Sequence, residues 1–339
     1  MEKTKIILDC DPGSDDAVAL LLALFNPKID LLGVTVVNGN RILPLTLDNA
    51  LRVVQFSGKN VPVYGGSTDP LVANLISTRK PGFPRVHLND SHGDHLPLPE
   101  PTIKAQDGNA VDYLVEEFSK PDNDITLVTT GPLTNVAMAL RMKPEIAKNI
   151  KQIVMMGGAI AAANISASAE TNIYVDPEAT KIVMDSTIPK MILPLDATWR
   201  ACITSDEADE LEKIGNKYTK FISQMIKLRI KALTVRDVTQ HNFDMRHKKG
   251  TVASVILYRY ENNMAPIHDA LTVAYLIDPS VITEYIDGNV DIDIAGGLAD
   301  GRLVVDYQNT RKSKDGITAK IALNADGEKF FNIIKDTLA

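Results

Sequence analysis

Four carboxylates fall within eight residues near the start of the chain, in Asp9-Cys10-Asp11-Pro12-Gly13-Ser14-Asp15-Asp16. They follow an apolar stretch, Lys5-Ile6-Ile7-Leu8, that reads as a buried strand. Like charges packed this densely at the end of such a strand repel one another unless a cation compensates them. Hard divalent ions take oxygen ligands, so Ca2+ or Mg2+ is the natural partner. A solvated turn that caps the next helix would use one carboxylate and leave three without a purpose. A further acid, Asp269, lies in Pro266-Ile267-His268-Asp269-Ala270-Leu271, where it reads equally as a site residue or as the start of a helix. Glu170-Thr171-Asn172 is a polar triplet ahead of Ile173-Tyr174-Val175-Asp176-Pro177, and reads equally as a surface loop before a helix.

The elements around these residues define where they sit. Strand-like runs at 5–9, 31–37, 125–129, 152–156 and 190–195 are continuously apolar, as when both faces are covered. Helical patterns alternate with them: 14–26 with Asp15 and Asp16 in its first turn, a helix through 47–56, and one beginning near Thr134 or Asn135. Repeated strand-then-helix order predicts an open, mostly parallel, Rossmann-like α/β sheet with helices on both faces. Ligands bind such sheets beyond the carboxyl ends of the strands, where the acidic run from Asp9 to Asp16, Asn38-Gly39-Asn40 and Thr130-Gly131-Pro132 fall. The last third is less regular. An amphipathic helix is expected over 204–232, a polar Arg/Lys-rich stretch over 234–266 and a helix over 268–276. Strands at 290–294, 303–307 and 317–323 and a final helix at 327–338 complete the expectation. With no repeat, low-complexity tract or Ser/Gly linker, 1–339 reads as a single domain.

Composition narrows the function classes. The formal charge is −7 and no long basic run occurs, which argues against a nucleic-acid partner. The longest apolar run, 17–25, is shorter than the ~20 residues of a membrane span. The N-terminal residues lack a signal-peptide pattern, so a soluble, cytoplasmic protein is expected. Two cysteines, Cys10 and Cys202, provide neither a disulfide framework nor zinc spacing. His87, His92 and His95 are a weak alternative zinc grouping with no cysteine or second histidine pair beside them.

The ordered set of motifs resembles the inosine-uridine nucleoside hydrolases. It comprises Asp9-Cys10-Asp11-Pro12-Gly13-Ser14-Asp15-Asp16-Ala17, Val36-Val37-Asn38-Gly39-Asn40 and Thr130-Gly131-Pro132-Leu133-Thr134-Asn135. Met155-Met156-Gly157-Gly158, Glu170-Thr171-Asn172 and His268-Asp269-Ala270 follow at family-like separations. The resemblance implies Ca2+-dependent hydrolysis of the N-glycosidic bond of ribonucleosides, without a nucleic-acid or membrane partner, in a homodimer or homotetramer. It implies a metal held by Asp11, Asp16, the Thr130 carbonyl and Asp269, with Asp11 the general base on the attacking water. It further implies that Asp15 bonds the ribose 2′-hydroxyl, that Asn40, Asn164, Glu170 and Asn172 hold the other hydroxyls, and that Met156 lines the sugar pocket. His92 then belongs to the base pocket, and His268 stands near the leaving base as its proton donor.

These residue types suit the reaction. N-glycosidic cleavage passes through an oxocarbenium-like sugar, and a divalent ion acidifies water and fixes a diol. A neighbouring carboxylate removes the water's proton. Two departures stand out: Thr171 occupies the position of an aromatic in Glu-x-Asn, and the His92-Gly93 loop lacks a second glycine. Tyr258 and Tyr260 are stacking candidates for the base, with core packing as the alternative, and Arg246-His247-Lys248-Lys249 reads as a solvated face. Two other functions fit part of the pattern. One is a non-catalytic nucleoside- or ribose-binding protein. The other is a haloacid-dehalogenase-like phosphatase using Asp9 and Asp11, although Gly13 stands where such enzymes carry Thr or Val.

Overall fold

The computed structural model describes residues 3–72, 75, 93–121, 123–161, 163–234, 263–308 and 319–339. In its first half, β1 (Thr4–Cys10), α1 (Ser14–Phe25), β2 (Ile29–Val36), α2 (Leu43–Ser57) and β3 (Val63–Gly65) alternate. Next come α3 (Ala110–Ser119), β4 (Thr126–Thr129), α4 (Thr134–Met142) and β5 (Gln152–Met156). Short α5 (Thr171–Val175) and α6 (Pro177–Met184) precede β6 (Lys190–Leu193) and the single turn α7 (Leu195–Thr198). The remaining elements are β7 (Cys202–Thr204), α8 (Ser205–Ile214), α9 (Lys217–Thr234), β8 (Met264–Pro266), the helix Ala270–Ile277, β9 (Ile282–Ile292), β10 (Leu303–Asp306), β11 (Ala319–Ala325) and the helix Gly327–Leu338.

Among the described residues, nine strands form one open sheet in the order β10-β9-β11-β6-β5-β4-β1-β2-β3. From β11 to β3 every pairing is parallel, while β9 pairs antiparallel with both β10 and β11. The expected mostly parallel α/β architecture is therefore present. Adjacent β1 residues show why its run is continuously apolar. Ile6, Leu8 and Cys10 enter one core with residues of α1, α2, α8, α9 and the last two helices, whereas Ile7 enters another with α3, α4 and α6. Both faces of the sheet are covered.

The expected helix over 204–232 is interrupted. Gly215 ends α8 in the left-handed conformation at φ +87°, which favours glycine. The Asn216 side chain then accepts from the backbone N–H groups of Tyr218 and Thr219 and starts α9. The helix expected from 268 starts two residues later, at Ala270. Asp269 precedes it, yet its carboxyl makes no capping bond and is turned elsewhere.

Candidate active site

Parallel strands deliver their polar followers to one edge of the sheet. Asp11 to Asp16 follow β1, Asn38 to Asn40 follow β2, Thr130 follows β4 and Met156 closes β5. The buried carboxylates of Asp15, Asp16 and Asp269 converge here, with one oxygen of each within 4.8 Å of the others. Asp16 accepts from the Gly13 N–H at 3.0 Å and from the Thr130 hydroxyl at 2.8 Å. Burial, followed by the charge of Asp15, raises its pKa to about 6 despite these bonds. Burial also raises the Asp269 pKa well above the carboxylate range, with Asp15, Asp16 and Asp11 adding to the effect and Arg229 opposing it. A trio of oxygen donors under mutual repulsion is suited to a hard divalent cation.

Asp11 borders this trio. Its carboxylate accepts the Asn40 N–H, while the Asn40 side-chain amide donates to the Asp11 carbonyl at 3.1 Å and to Asp16 at 3.4 Å. Gly39 must be glycine here, because a Cβ at that position would collide with the Asp11 carboxylate. Asn172 closes the other side, its amide donating to the Thr130 carbonyl at 2.8 Å, the Met156 carbonyl at 3.2 Å and the Met156 sulfur at 3.3 Å. Asp11, Asp15, Asp16, Asn40, Thr130, Met156, Asn172 and Asp269 are thus gathered in one region.

A family model described as inosine-uridine preferring nucleoside hydrolase matches residues 6–332. The chain belongs to this family. It is accordingly a ribonucleoside hydrolase, an enzyme acting on N-glycosidic bonds. This nucleoside hydrolase is 35% identical over 337 residues to the pyrimidine-specific ribonucleoside hydrolase RihB of Shigella flexneri serotype 5b, covering 99% of this chain and 97% of that protein. Among solved structures, it is similar to a purine-preferring ribonucleoside hydrolase from Gardnerella vaginalis, with 29% identity and a TM-score of 0.82, covering 99% of this chain and 98% of that one. A plant nucleoside hydrolase, PpNRh1, shares 27% identity at a TM-score of 0.81 with the same coverage.

The hydrolase's other expected site residues are arranged less simply. Glu170 is buried and turned inward: its carboxylate accepts from the N–H groups of Gly158, Asn172 and Ile173, capping α5. Burial outweighs these bonds and raises its pKa to about 7. Asn164 is exposed, and its side-chain oxygen accepts both the N–H and the hydroxyl of Thr171. Thr171 therefore anchors Asn164. The Nδ1 of His268 lies 2.7 Å from the Thr198 hydroxyl, and its ring meets Trp199 edge-on at 5.6 Å between centroids. His87, His92, Arg246 to Lys249, Tyr258 and Tyr260 lie outside the described residues. His95, the described member of the histidine grouping, pairs with Asp48 at 2.8 Å on the surface.

Asp9 accepts from Thr35 at 2.6 Å and Asn135 at 2.8 Å and is fully buried, with burial raising its pKa to about 7. A phosphatase nucleophile needs access to substrate, so this placement disfavours that role for Asp9. Three site neighbours escaped the sequence reading: Thr198, Trp199 and Arg229. Arg229 did leave a signal, standing in line with Ile222, Met225 and Ile226 on the apolar face of α9.

Proposed function

We propose that this hydrolase cleaves ribonucleosides to ribose and a free nucleobase, dependent on a divalent cation, Ca2+ in preference to Mg2+. The observation carrying this reading is the buried convergence of Asp15, Asp16 and Asp269 at the strand ends. Asp16 and Asp269 of that trio, with Asp11 and the Thr130 carbonyl from the adjoining loops, would hold the cation, leaving Asp15 to the substrate, and the hard-oxygen character of this set fits calcium. The bound ion supplies positive charge that acidifies water and fixes a vicinal diol.

Asp11 accepts the proton of the attacking water; the Asn40 N–H on its carboxylate supports a fixed orientation for that transfer. Asp15 bonds the ribose 2′-hydroxyl, while Asn40, Asn164, Glu170 and Asn172 address the remaining hydroxyls and Met156 packs against the sugar. His268 serves the departing base, with Nδ1 engaged by Thr198 and Nε2 as the nitrogen that acts on substrate. His92 contributes to the base pocket. No helix among the described residues is long and apolar enough to cross a membrane. We read the protein as a cytoplasmic, single-domain homodimer or homotetramer; the one large sheet spanning β1 to β11 supports the single domain.

Uridine, inosine and p-nitrophenyl phosphate, each incubated with and without chelator, test the reading. Both nucleosides belong in the panel because the relatives include pyrimidine-specific and purine-preferring enzymes. Chelator-sensitive release of base is expected; phosphate release alone would overturn the proposal.

A further inference from the structure

Arg229 is 7% exposed, among the most buried positions an arginine occupies, and sits on the inward face of α9. Its Nη1 lies 3.0 Å from Asp15 Oδ1 and donates to the Ser14 hydroxyl at 3.0 Å. Its Nε donates to the Pro266 carbonyl, also at 3.0 Å. One guanidinium therefore ties together the first turn of α1, the long helix α9 and the end of β8, three residues before Asp269.

The tie acts in two ways. The first is charge. Asp11, Asp15, Asp16 and Asp269 exceed the charge of one divalent cation by two, and Arg229 cancels one of those. The second is geometry. The bonds of Nε to the Pro266 carbonyl and of Nη1 to the Ser14 hydroxyl set the guanidinium plane, and that plane places Nη1 3.0 Å from Asp15 Oδ1, an ion pair that favours one orientation of the carboxylate. Lysine would supply the charge but not the rigid fork.

Resting on the reading above, in which Asp15 meets the ribose 2′-hydroxyl, we infer that Arg229 is the positioning residue of ribose recognition, holding the Asp15 carboxylate in the orientation that selects ribonucleosides over 2′-deoxynucleosides. A site built around a hydroxyl rejects its absence by ~10⁴-fold, and that selectivity depends on a carboxylate that cannot swing away.

The test compares kcat and KM for uridine and 2′-deoxyuridine in wild type, R229M, R229K, D15N and D15N/R229M. Calorimetric titrations with D-ribose and 2-deoxy-D-ribose read the same contact without turnover. R229M is expected to lower the ribo-to-deoxy ratio of kcat/KM by about tenfold or more, with the loss on uridine exceeding whatever loss the changed charge causes on 2′-deoxyuridine. R229K should restore part of the ratio. Adding R229M to D15N should change the ratio no further, as for two residues acting through one contact. An equal loss on both substrates, or an unchanged ratio, would overturn the inference. If D15N itself leaves the ratio unchanged, the assignment of Asp15 fails and the inference with it; if D15N lowers the ratio and R229M does not, the inference alone fails. Thermal melts identify folded variants, and should R229M not fold, R229K decides: a ratio equal to wild type overturns the proposal.

Discussion

At the residue scale, each side chain's worth follows from what it faces. Asp16 offers two oxygens to a crowded, buried cluster while bonding Gly13 and Thr130, and those bonds would survive replacement by asparagine in part. Asp16→Asn removes one charge from the cage, so calorimetry should show weaker calcium binding, and kcat/KM should fall by ~10²-fold or more. His268 separates sugar activation from leaving-group activation. His268→Ala is expected to lower kcat on uridine or inosine by ~10²-fold, the usual scale for a general acid. It should do much less to p-nitrophenyl riboside, whose leaving group departs without a proton; an equal loss on both substrates would assign the ring to site architecture. The acids and amides of this region were legible because their types and order are distinctive. Thr198 and Trp199 were not, because a hydroxyl and an indole become site residues only once α7 is folded against His268.

At the scale of elements, the short helix α5 carries a titrating cap. Glu170 has a folded pKa of about 7 because it is buried, against ~4.3 in an unfolded chain. Between these values the folded state holds a proton that the unfolded state has lost, so stability falls as pH rises from about 4.5 to 7. Glu170→Gln removes that dependence. Melting curves from pH 5 to 8 should show wild type losing stability relative to the variant, by up to about 3 kcal/mol, and levelling above pH 7. Parallel melting curves for both proteins would contradict this. The elements are unevenly legible in the sequence, for physical reasons. Strands covered on both faces announce themselves as apolar runs, which is why β1, β4 and β5 were found within a residue or two. The two-stranded pairing of β7 with β8 joins Cys202 to Pro266 across a long separation, and three-residue strands carry too little pattern to show. The break at Gly215-Asn216 is hidden in the sequence because amphipathic periodicity continues through it.

At the scale of the whole molecule, the parallel sheet brings loops from β1, β2, β4 and β5 to one edge, while the helix Ala270–Ile277 brings Asp269 back to the first loop from far along the chain. The fold thereby concentrates negative charge that an isolated segment would not tolerate, and a cation is the compensating partner. The central claim is that this edge hydrolyses ribonucleosides only with a divalent ion in place. Its most direct measurement is chromatographic release of free base and ribose from uridine and inosine by metal-stripped protein, before and after calcium is restored. The account predicts negligible release from the stripped protein, recovery on addition of calcium, and one ribose per base freed. Undiminished release by protein that elemental analysis shows to be free of metal would contradict it.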